Sequence, residues 1–70
     1  MTLNKLRYVV EAASSGSITE AAQRLFITQP SLTAAIHALE EELGITIFRR
    51  TNKGITLTVK GEELLAYARQ

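Results

Sequence analysis

Few side chains in this 70-residue sequence could take part in catalysis or metal binding. The chain has a single histidine, His37, and neither cysteine nor aspartate, so every acidic residue is a glutamate. Nucleophilic triads need a base with an orienting acid, and metal sites need several histidine, cysteine or carboxylate ligands. Neither Ser-His-Asp nor Cys-His sets nor a multi-histidine site can be built from these residues. We therefore predict that the chain is not an enzyme and holds no metal or cofactor.

A second group of polar side chains lies at the start of a helix predicted over residues 29–43. At about 100° per residue, Leu32, Ile36, Leu39 and Leu43 share one apolar face. The first half of the opposite face is small and polar, and long acids come only at positions 40–42. This asymmetry suits a helix that enters the DNA major groove, because acids at the entering end would repel phosphates.

The chemistry of these side chains matches that of base edges and phosphates. Gln29 can bond adenine N6 and N7 together, and the methyl group of Thr33 suits the thymine methyl. Each of these residues taken alone could be an ordinary exposed side chain. The hypothesis of DNA recognition depends on the whole set occurring at this spacing. The predicted base contacts are Gln29, Pro30, Thr33, Ala34 and His37. Short hydroxyl donors for backbone phosphate are predicted at Ser17, Thr28 and Ser31.

Positive charge is concentrated in one later stretch. Four basic residues and no acid lie between positions 49 and 60, although the net charge is only +1. A local basic cluster indicates a polyanion partner, but a short basic loop can also be simply solvated. We predict that Arg50, Thr51, Asn52 and Lys53 contact an adjacent minor groove or its phosphates. Arg49 faces the other side of its strand, where it could pair with a glutamate.

Apolar periodicity predicts the helices that position these residues. Helices are predicted from Thr2 to about Ser15, from Ile18 to Leu25, from Gln29 to Leu43, and from Val59 to the end of the chain. Ser17 to Glu20 is typical of a capping box with both reciprocal bonds. Caps are predicted at Thr28 and Thr58, and stops at Gly16 and Gly44. Leu25 and Phe26 are expected to anchor the second helix in the core.

The residues between Gly44 and Val59 favour β structure. Ile45, Ile47 and Phe48 form one run and residues 55–58 another, around a turn at 51–54 where Asn52 and Gly54 can adopt positive φ. A short helix, a connection of about three residues and a second helix make a helix-turn-helix, and the hairpin adds a wing. The predicted fold is mainly α with a small β-hairpin, a winged helix-turn-helix.

Taken together, these motifs resemble the N-terminal domain of LysR-type transcriptional regulators. The resemblance covers essentially all 70 residues. It is carried by the opening helix Leu3–Val10, by the stretches 17–22, 25–33 and 36–44, by Phe48-Arg49-Arg50, and by Leu57-Thr58-Val59-Lys60-Gly61. It implies sequence-specific binding to double-stranded DNA in bacterial transcription regulation. Residues 29–43 would enter the major groove, and residues 49–55 would form the wing.

The resemblance also implies an assembly. Residues 1–58 correspond to the DNA-binding domain, and residues 59–70 to the start of a linker helix that pairs with its twin in a homodimer. We expect Leu64, Leu65 and Ala68 to face that partner. Family members carry an effector-binding domain that binds a small-molecule inducer and are often tetramers; that domain lies outside this sequence. Ala34 and Lys53 depart from the family pattern, which frequently has arginine at both positions, so the resemblance implies the binding mode but does not predict the preferred DNA sequence.

Other functions fit the sequence less well. A protein-interaction module could use the acidic face at residues 40–42, and a salt titration against duplex DNA would distinguish it. RNA binding is disfavoured because the four aromatic residues include Phe26 and Phe48, which are predicted in the core. No apolar run approaches the ~20 residues that span a bilayer, and no secretory signal is evident. With no cysteine, we expect a cytoplasmic protein without a membrane partner.

Overall fold

The computed structural model describes residues 3–68, which form four helices and one two-stranded sheet. The elements are α1 (Leu3–Ser15), α2 (Ile18–Leu25), α3 (Gln29–Leu43), β1 (Phe48–Thr51), β2 (Gly54–Leu57) and α4 (Val59–Ala68). The predicted fold class is confirmed, and the predicted bounds of α2 and α3 match those observed. The predicted helical positions at Thr2 and beyond Ala68 lie outside the described residues.

Short polar side chains fix where α2 begins. The hydroxyl of Ser17 accepts from the backbone N–H of Glu20 at 3.3 Å, as predicted. The reciprocal half of the capping box is wrong, because the N–H of Ser17 donates to the hydroxyl of Ser15 at 3.4 Å. The carboxylate of Glu20 instead pairs with Arg24 one turn later, at 3.5 Å. A nearby cation therefore replaces the backbone N–H as the partner of this acid.

The predicted start and end of α3 and the predicted start of α4 are confirmed. The hydroxyl of Thr28 accepts from the N–H of Ser31 at 3.2 Å, and α3 ends at Gly44, which has φ of 69°. The hydroxyl of Thr58 accepts from the N–H of Gly61 at 3.0 Å and so caps α4. These bonds satisfy N–H groups that have no partner within their own helix.

The core takes residues from every helix. Its buried members are Val9, Ala12, Ala21, Ala22, Leu32, Ile36, Leu39, Ile47 and Leu65. Two adjacent alanines give α2 almost no side-chain bulk on its inner face, so neighbouring helices can approach closely. Ile47 lies in the connection between α3 and β1, and its fully buried side chain belongs to the same core.

Two apolar residues predicted in the core are exposed. Phe26 is 95% exposed and has φ of 59°, in the left-handed region. This conformation lets the N–H of Ile27 donate to the carbonyl of Ala22 at 3.0 Å, so Ile27 turns back onto the core and Phe26 points outward. Leu43, at the end of α3, is 36% exposed. Ile47, four residues later, is buried in the core, whereas Leu43 is not.

The hairpin is antiparallel, with Phe48 opposite Leu57 and Arg50 opposite Ile55. Ile45 and Ile47 lie outside the strands, contrary to the predicted β run. Gly54 has φ of 134° as predicted, whereas Asn52 is not among the described residues with positive φ. The N–H of Ile55 donates to the carbonyl of Gly16 at 3.1 Å. The hairpin is therefore fastened by its backbone to the turn between α1 and α2.

This attachment requires a glycine at position 54, because a Cβ there would lie 2.3 Å from the carbonyl oxygen of Gly16. We predict that Gly54→Ala destabilises the fold by about 2–4 kcal/mol, from unfavourable φ together with overpacking. Gly44→Ala is the matched control, since its φ is also positive but open space surrounds the new methyl group. Its expected cost is about 1–2 kcal/mol. Equal losses in urea unfolding would contradict the tight contact.

Candidate nucleic-acid interface

The outer face of α3 brings the predicted base contacts together. One shallow surface is lined by Gln29, Pro30, Thr33, Ala34 and His37. Thr33 is half-buried and the other four are exposed. The opposite face of α3 is fixed in the core by the buried side chains of Leu32, Ile36 and Leu39. The helix is therefore held from behind and presents small polar and apolar groups to the outside.

A cleft beside this face joins three elements. It is lined by Ser17, Ile18, Thr19, Gln29, Thr33, Arg50, Thr51, Gly54 and Ile55. The start of α2, the first half of α3 and the hairpin thus meet at one place. Three predicted backbone contacts, Ser17, Arg50 and Thr51, lie next to two predicted base contacts, Gln29 and Thr33. The structure brings the two predicted groups into one continuous surface.

The hydroxyls at the start of α3 have a defined direction of donation. The hydroxyl of Thr28 donates to that of Ser31 at 2.8 Å, and both residues are exposed. The hydroxyl proton of Ser31 is then available for an outside acceptor. The N-terminus of α3 adds partial positive charge at the same place. This arrangement can bind a phosphate oxygen.

The two arginines of the hairpin point in opposite directions, as predicted. Arg50 lies opposite Ile55 and lines the cleft beside Thr33. Arg49 lies opposite Thr56 on the outer side of the hairpin. Among residues 3–68 neither arginine forms an ion pair, so the suggested bond between Arg49 and a glutamate does not form there. Both residues are exposed, so their guanidinium groups can meet an outside partner.

The tip of the hairpin is ordered by Thr51. Its hydroxyl donates to the carbonyl of Gly54 at 3.3 Å and accepts from the N–H of Lys53 at 3.3 Å. The side chains of Asn52 and Lys53 are therefore carried on a closed turn, and both are exposed. Such a turn can present one cation and one amide to a groove or to phosphates.

Charge is divided between the two parts of this surface. Helix α3 contains no lysine or arginine, and three consecutive glutamates lie near its C-terminal end. The nearby cations belong to the hairpin, at Arg49, Arg50 and Lys53. Attraction to a polyanion therefore comes from the hairpin and from the N-terminal end of α3, whereas the exposed face of α3 offers neutral hydrogen-bonding and apolar groups.

Glu40 has a structural role that the sequence did not indicate. Its Oε2 accepts from the N–H of Ile47 at 2.7 Å and from that of Phe48 at 3.4 Å. The carboxylate thus joins the C-terminal half of α3 to the strand that carries Arg50. No local pattern marks this contact, since donor and acceptor are seven residues apart across a turn. Because this carboxylate is bonded within the domain, Glu40 is less available than its neighbours on the acidic face, residues 40–42, that a protein-interaction module could use.

We expect Glu40→Ala to destabilise the domain by about 1–3 kcal/mol, because two backbone N–H groups lose a charged acceptor. Glu41→Ala is the control, since Glu41 is exposed and its side chain forms no hydrogen bond or ion pair within residues 3–68. Its expected change is within ~0.5 kcal/mol. Chemical unfolding of both variants measures the difference. Similar stabilities for the two would show that the carboxylate of Glu40 contributes little.

The predicted dimer residues on α4 differ in exposure. Leu65 is only 5% exposed and belongs to the core of its own chain, which corrects its assignment to a partner contact. Leu64 and Ala68 are half-buried. The large apolar residues that α4 exposes are Val59 and Tyr67, at 72% and 71%. Leu64 and Ala68 share one face of α4 with Tyr67, so that face remains open to a partner helix.

Two further features are absent from residues 3–68. In this part of the chain no three histidine, aspartate or glutamate side chains gather where they could hold a metal ion. None of the described helices has the length and apolar character needed to cross a membrane.

Comparison with known proteins places these features in a family. Residues 3–62 match the family described as bacterial regulatory helix-turn-helix protein, lysR family. The whole chain is 44% identical to the HTH-type transcriptional regulator ClcR of Pseudomonas putida and 49% identical to YofA of Bacillus subtilis. It covers 24% and 25% of those proteins, so it spans about a quarter of their length.

Solved structures give the same result. The fold is similar to that in the crystal structure of the CbnR_DBD-DNA complex, with a TM-score of 0.94 and 38% identity. That match covers 99% of this chain and 79% of the other. The BenM_DBD/catB site 1 DNA complex gives a TM-score of 0.93 at 40% identity, over 99% of this chain and 74% of the other.

Proposed function

This chain belongs to the LysR family of bacterial regulatory helix-turn-helix proteins, and we propose that it is the DNA-reading domain of a transcriptional regulator. It binds double-stranded DNA with α3 in the major groove and the hairpin at the adjacent minor groove or backbone. The observation that carries the proposal is the single exposed face of α3, held in place by a buried opposite face. The fold shared with two domains solved as DNA complexes supports it.

The residues divide by the part of DNA they meet. On α3, Gln29 reads adenine, Thr33 and Ala34 make apolar contact with thymine methyls, and Pro30 and His37 border them. Phosphates are bound at helix starts and along the hairpin. The proposed backbone contacts are Ser17, Thr28, Ser31, Arg50, Thr51, Asn52 and Lys53. Because α3 lacks a cation, affinity depends on the hairpin more than on the helix.

The wider assembly is proposed from the same family membership. The protein acts as a homodimer through α4, with Leu64, Ala68 and the exposed Tyr67 nearest the partner, and as a tetramer at full length. A separate effector domain binds a small-molecule inducer. The protein catalyses no reaction and acts in the cytoplasm, where a bacterial regulator meets its DNA. Relatives that are transcriptional regulators support this set.

Selection of bound sequences from random duplex DNA tests the proposed function. A symmetric dimer should enrich a palindrome whose half-sites are separated by about one helical turn, ~34 Å, or a multiple. Binding should also weaken steeply with added salt. Failure to enrich any sequence would contradict base reading by α3. An affinity for duplex DNA that does not change with salt concentration would favour the protein-interaction alternative.

We predict that Gln29→Ala weakens binding to the selected operator by about 1–3 kcal/mol and relaxes the preference at one base pair. The reason is that no other side chain at the start of α3 can make both adenine bonds. Affinity for random duplex DNA should change little. Binding titrations on both DNAs measure the two effects. Equal losses on operator and random DNA would rule out base reading by Gln29.

Lys53→Ala is expected to weaken binding to all sequences alike, since an ammonium group at the hairpin tip meets phosphate. The slope of log affinity against log salt should fall by about one. Lys60→Ala provides the control, because Lys60 lies on α4 and pairs with Glu63 at 3.6 Å. An unchanged slope for Lys53→Ala would remove that residue from the interface.

A further inference from the structure

A cavity of about 120 Å³ lies between α3 and the hairpin, next to the outer face of α3. Thr33 and His37 line both the cavity and that outer face. Ile18 and Ile55 line both the cavity and the cleft at the start of α2. The cavity is therefore continuous with the surface proposed to meet DNA, although no base or phosphate contact proposed above uses its apolar wall.

The wall and the rim of this cavity differ in chemistry. Ile36 is buried, and Ile18, Phe48 and Ile55 are half-buried, so the wall is made of hydrocarbon groups. Arg50 lines the same cavity, is exposed, and forms no ion pair within residues 3–68. A cation beside an apolar wall suits a ligand in which an anion and a hydrocarbon group are neighbours.

The end of the cavity between Ile18 and Ile55 has little capacity for further hydrogen bonds. The N–H of Ile55 donates to the carbonyl of Gly16 at 3.1 Å. The carbonyl of Gly54 accepts from the hydroxyl of Thr51 at 3.3 Å. A hydroxyl group brought between the two isoleucines would therefore lose its hydrogen bonds to water, and these backbone groups would not replace them.

The polar side chains that α3 places along the cavity have other partners. Glu40 lies two turns beyond Thr33, about 10 Å along the helix axis, and its carboxylate is bonded to the backbone at the start of the hairpin. Thr33 and His37 are proposed contacts of bases in the major groove. The end of the cavity between the two isoleucines thus suits an apolar group.

The geometry of duplex DNA supplies such a group. One sugar–phosphate backbone separates the major groove from the adjacent minor groove. With α3 in the first groove and the hairpin at the second, that backbone crosses the gap between them, where the cavity lies. Each deoxyribose turns its C2′ methylene edge toward the major groove and is flanked by phosphates. The backbone therefore carries an anion and a hydrocarbon group side by side.

We infer that this cavity receives the C2′ edge of one deoxyribose in each half-site and so discriminates DNA from RNA. The inference rests on the proposed function, because the backbone crosses the cavity only when α3 occupies the major groove. Arg50 holds the adjoining phosphate, and Ile18 and Ile55 contact the sugar. A ribose in that place would bury its 2′-hydroxyl, the group by which proteins distinguish RNA from DNA, against hydrocarbon.

The test uses operator duplexes in which one nucleotide at a time is altered along each strand. Each position is made once with a 2′-hydroxyl and once with a 2′-fluoro group, which favours the same sugar pucker but donates no hydrogen bond. Ile55→Thr places a hydroxyl beside the sugar. Ile55→Val is the matched control, since valine has the shape of threonine without its hydroxyl. For each protein, the ratio of affinities for deoxy and altered operators is measured, so general losses cancel.

We expect one ribonucleotide in each half-site to weaken wild-type binding by about five- to tenfold, as for a hydroxyl buried without a partner. A 2′-fluoro group at that position, and ribonucleotides at other positions, should change affinity little. Ile55→Thr should recover most of the loss because its hydroxyl can bond the 2′-hydroxyl. Ile55→Val should retain the loss.

Three results would overturn this inference. Losses that are absent, or spread evenly over all positions, would show that no single sugar is enclosed. An equal loss with the 2′-fluoro group would assign the effect to sugar shape. Equal discrimination by Ile55→Thr and Ile55→Val would remove the cavity from the contact. Failure of the wild-type protein to bind any all-deoxy operator would instead reject the proposed function, which the same titrations measure separately.

Discussion

The hairpin is held in place by hydrogen bonds to the rest of the domain, and the DNA-binding surface depends on the position of the hairpin. Two strands of four residues are not stable alone in water. Three attachments hold them: the N–H of Ile55 to the carbonyl of Gly16, the carboxylate of Glu40 to the connection before β1, and the N–H of Thr58 to the carbonyl of Ile47 at 2.9 Å. The first bond joins the hairpin to the turn between α1 and α2, the second joins it to α3, and the third closes its base just before α4. Together they fix the orientation of the hairpin relative to α3.

That fixed orientation allows affinity and sequence preference to reside on separate elements. The exposed face of α3 is neutral over its first half, and the uncompensated arginines stand on the hairpin. Phosphate attraction does not distinguish sequences, whereas donors, acceptors and methyl groups at base edges do. A cation at position 34 would combine the two on α3. With Ala34 there, the proposed function requires that smaller groups such as Gln29 and Thr33 read the bases, held at the required distance by the attached hairpin.

The parts of this fold that are set locally could be predicted from the sequence. Caps at Ser17, Thr28 and Thr58 depend on residues three positions away, so sequence spacing is enough to find them. The contact between Gly54 and Gly16 could not be found this way, because it joins segments that meet only after the helices pack. The bond from Glu40 to Ile47 has the same character. The grouping of the predicted base contacts on one face of α3 followed from helical periodicity, whereas the cleft that joins this face to the hairpin required the tertiary structure.

Phe26 shows why apolar character alone misled the prediction of the core. After Leu25, the chain can bury only one of its next two apolar residues if it is to reverse direction at the end of α2. The bond from the N–H of Ile27 to the carbonyl of Ala22 selects Ile27 for the core and leaves Phe26 in the left-handed position. The turn requires that conformation but does not require an aromatic side chain.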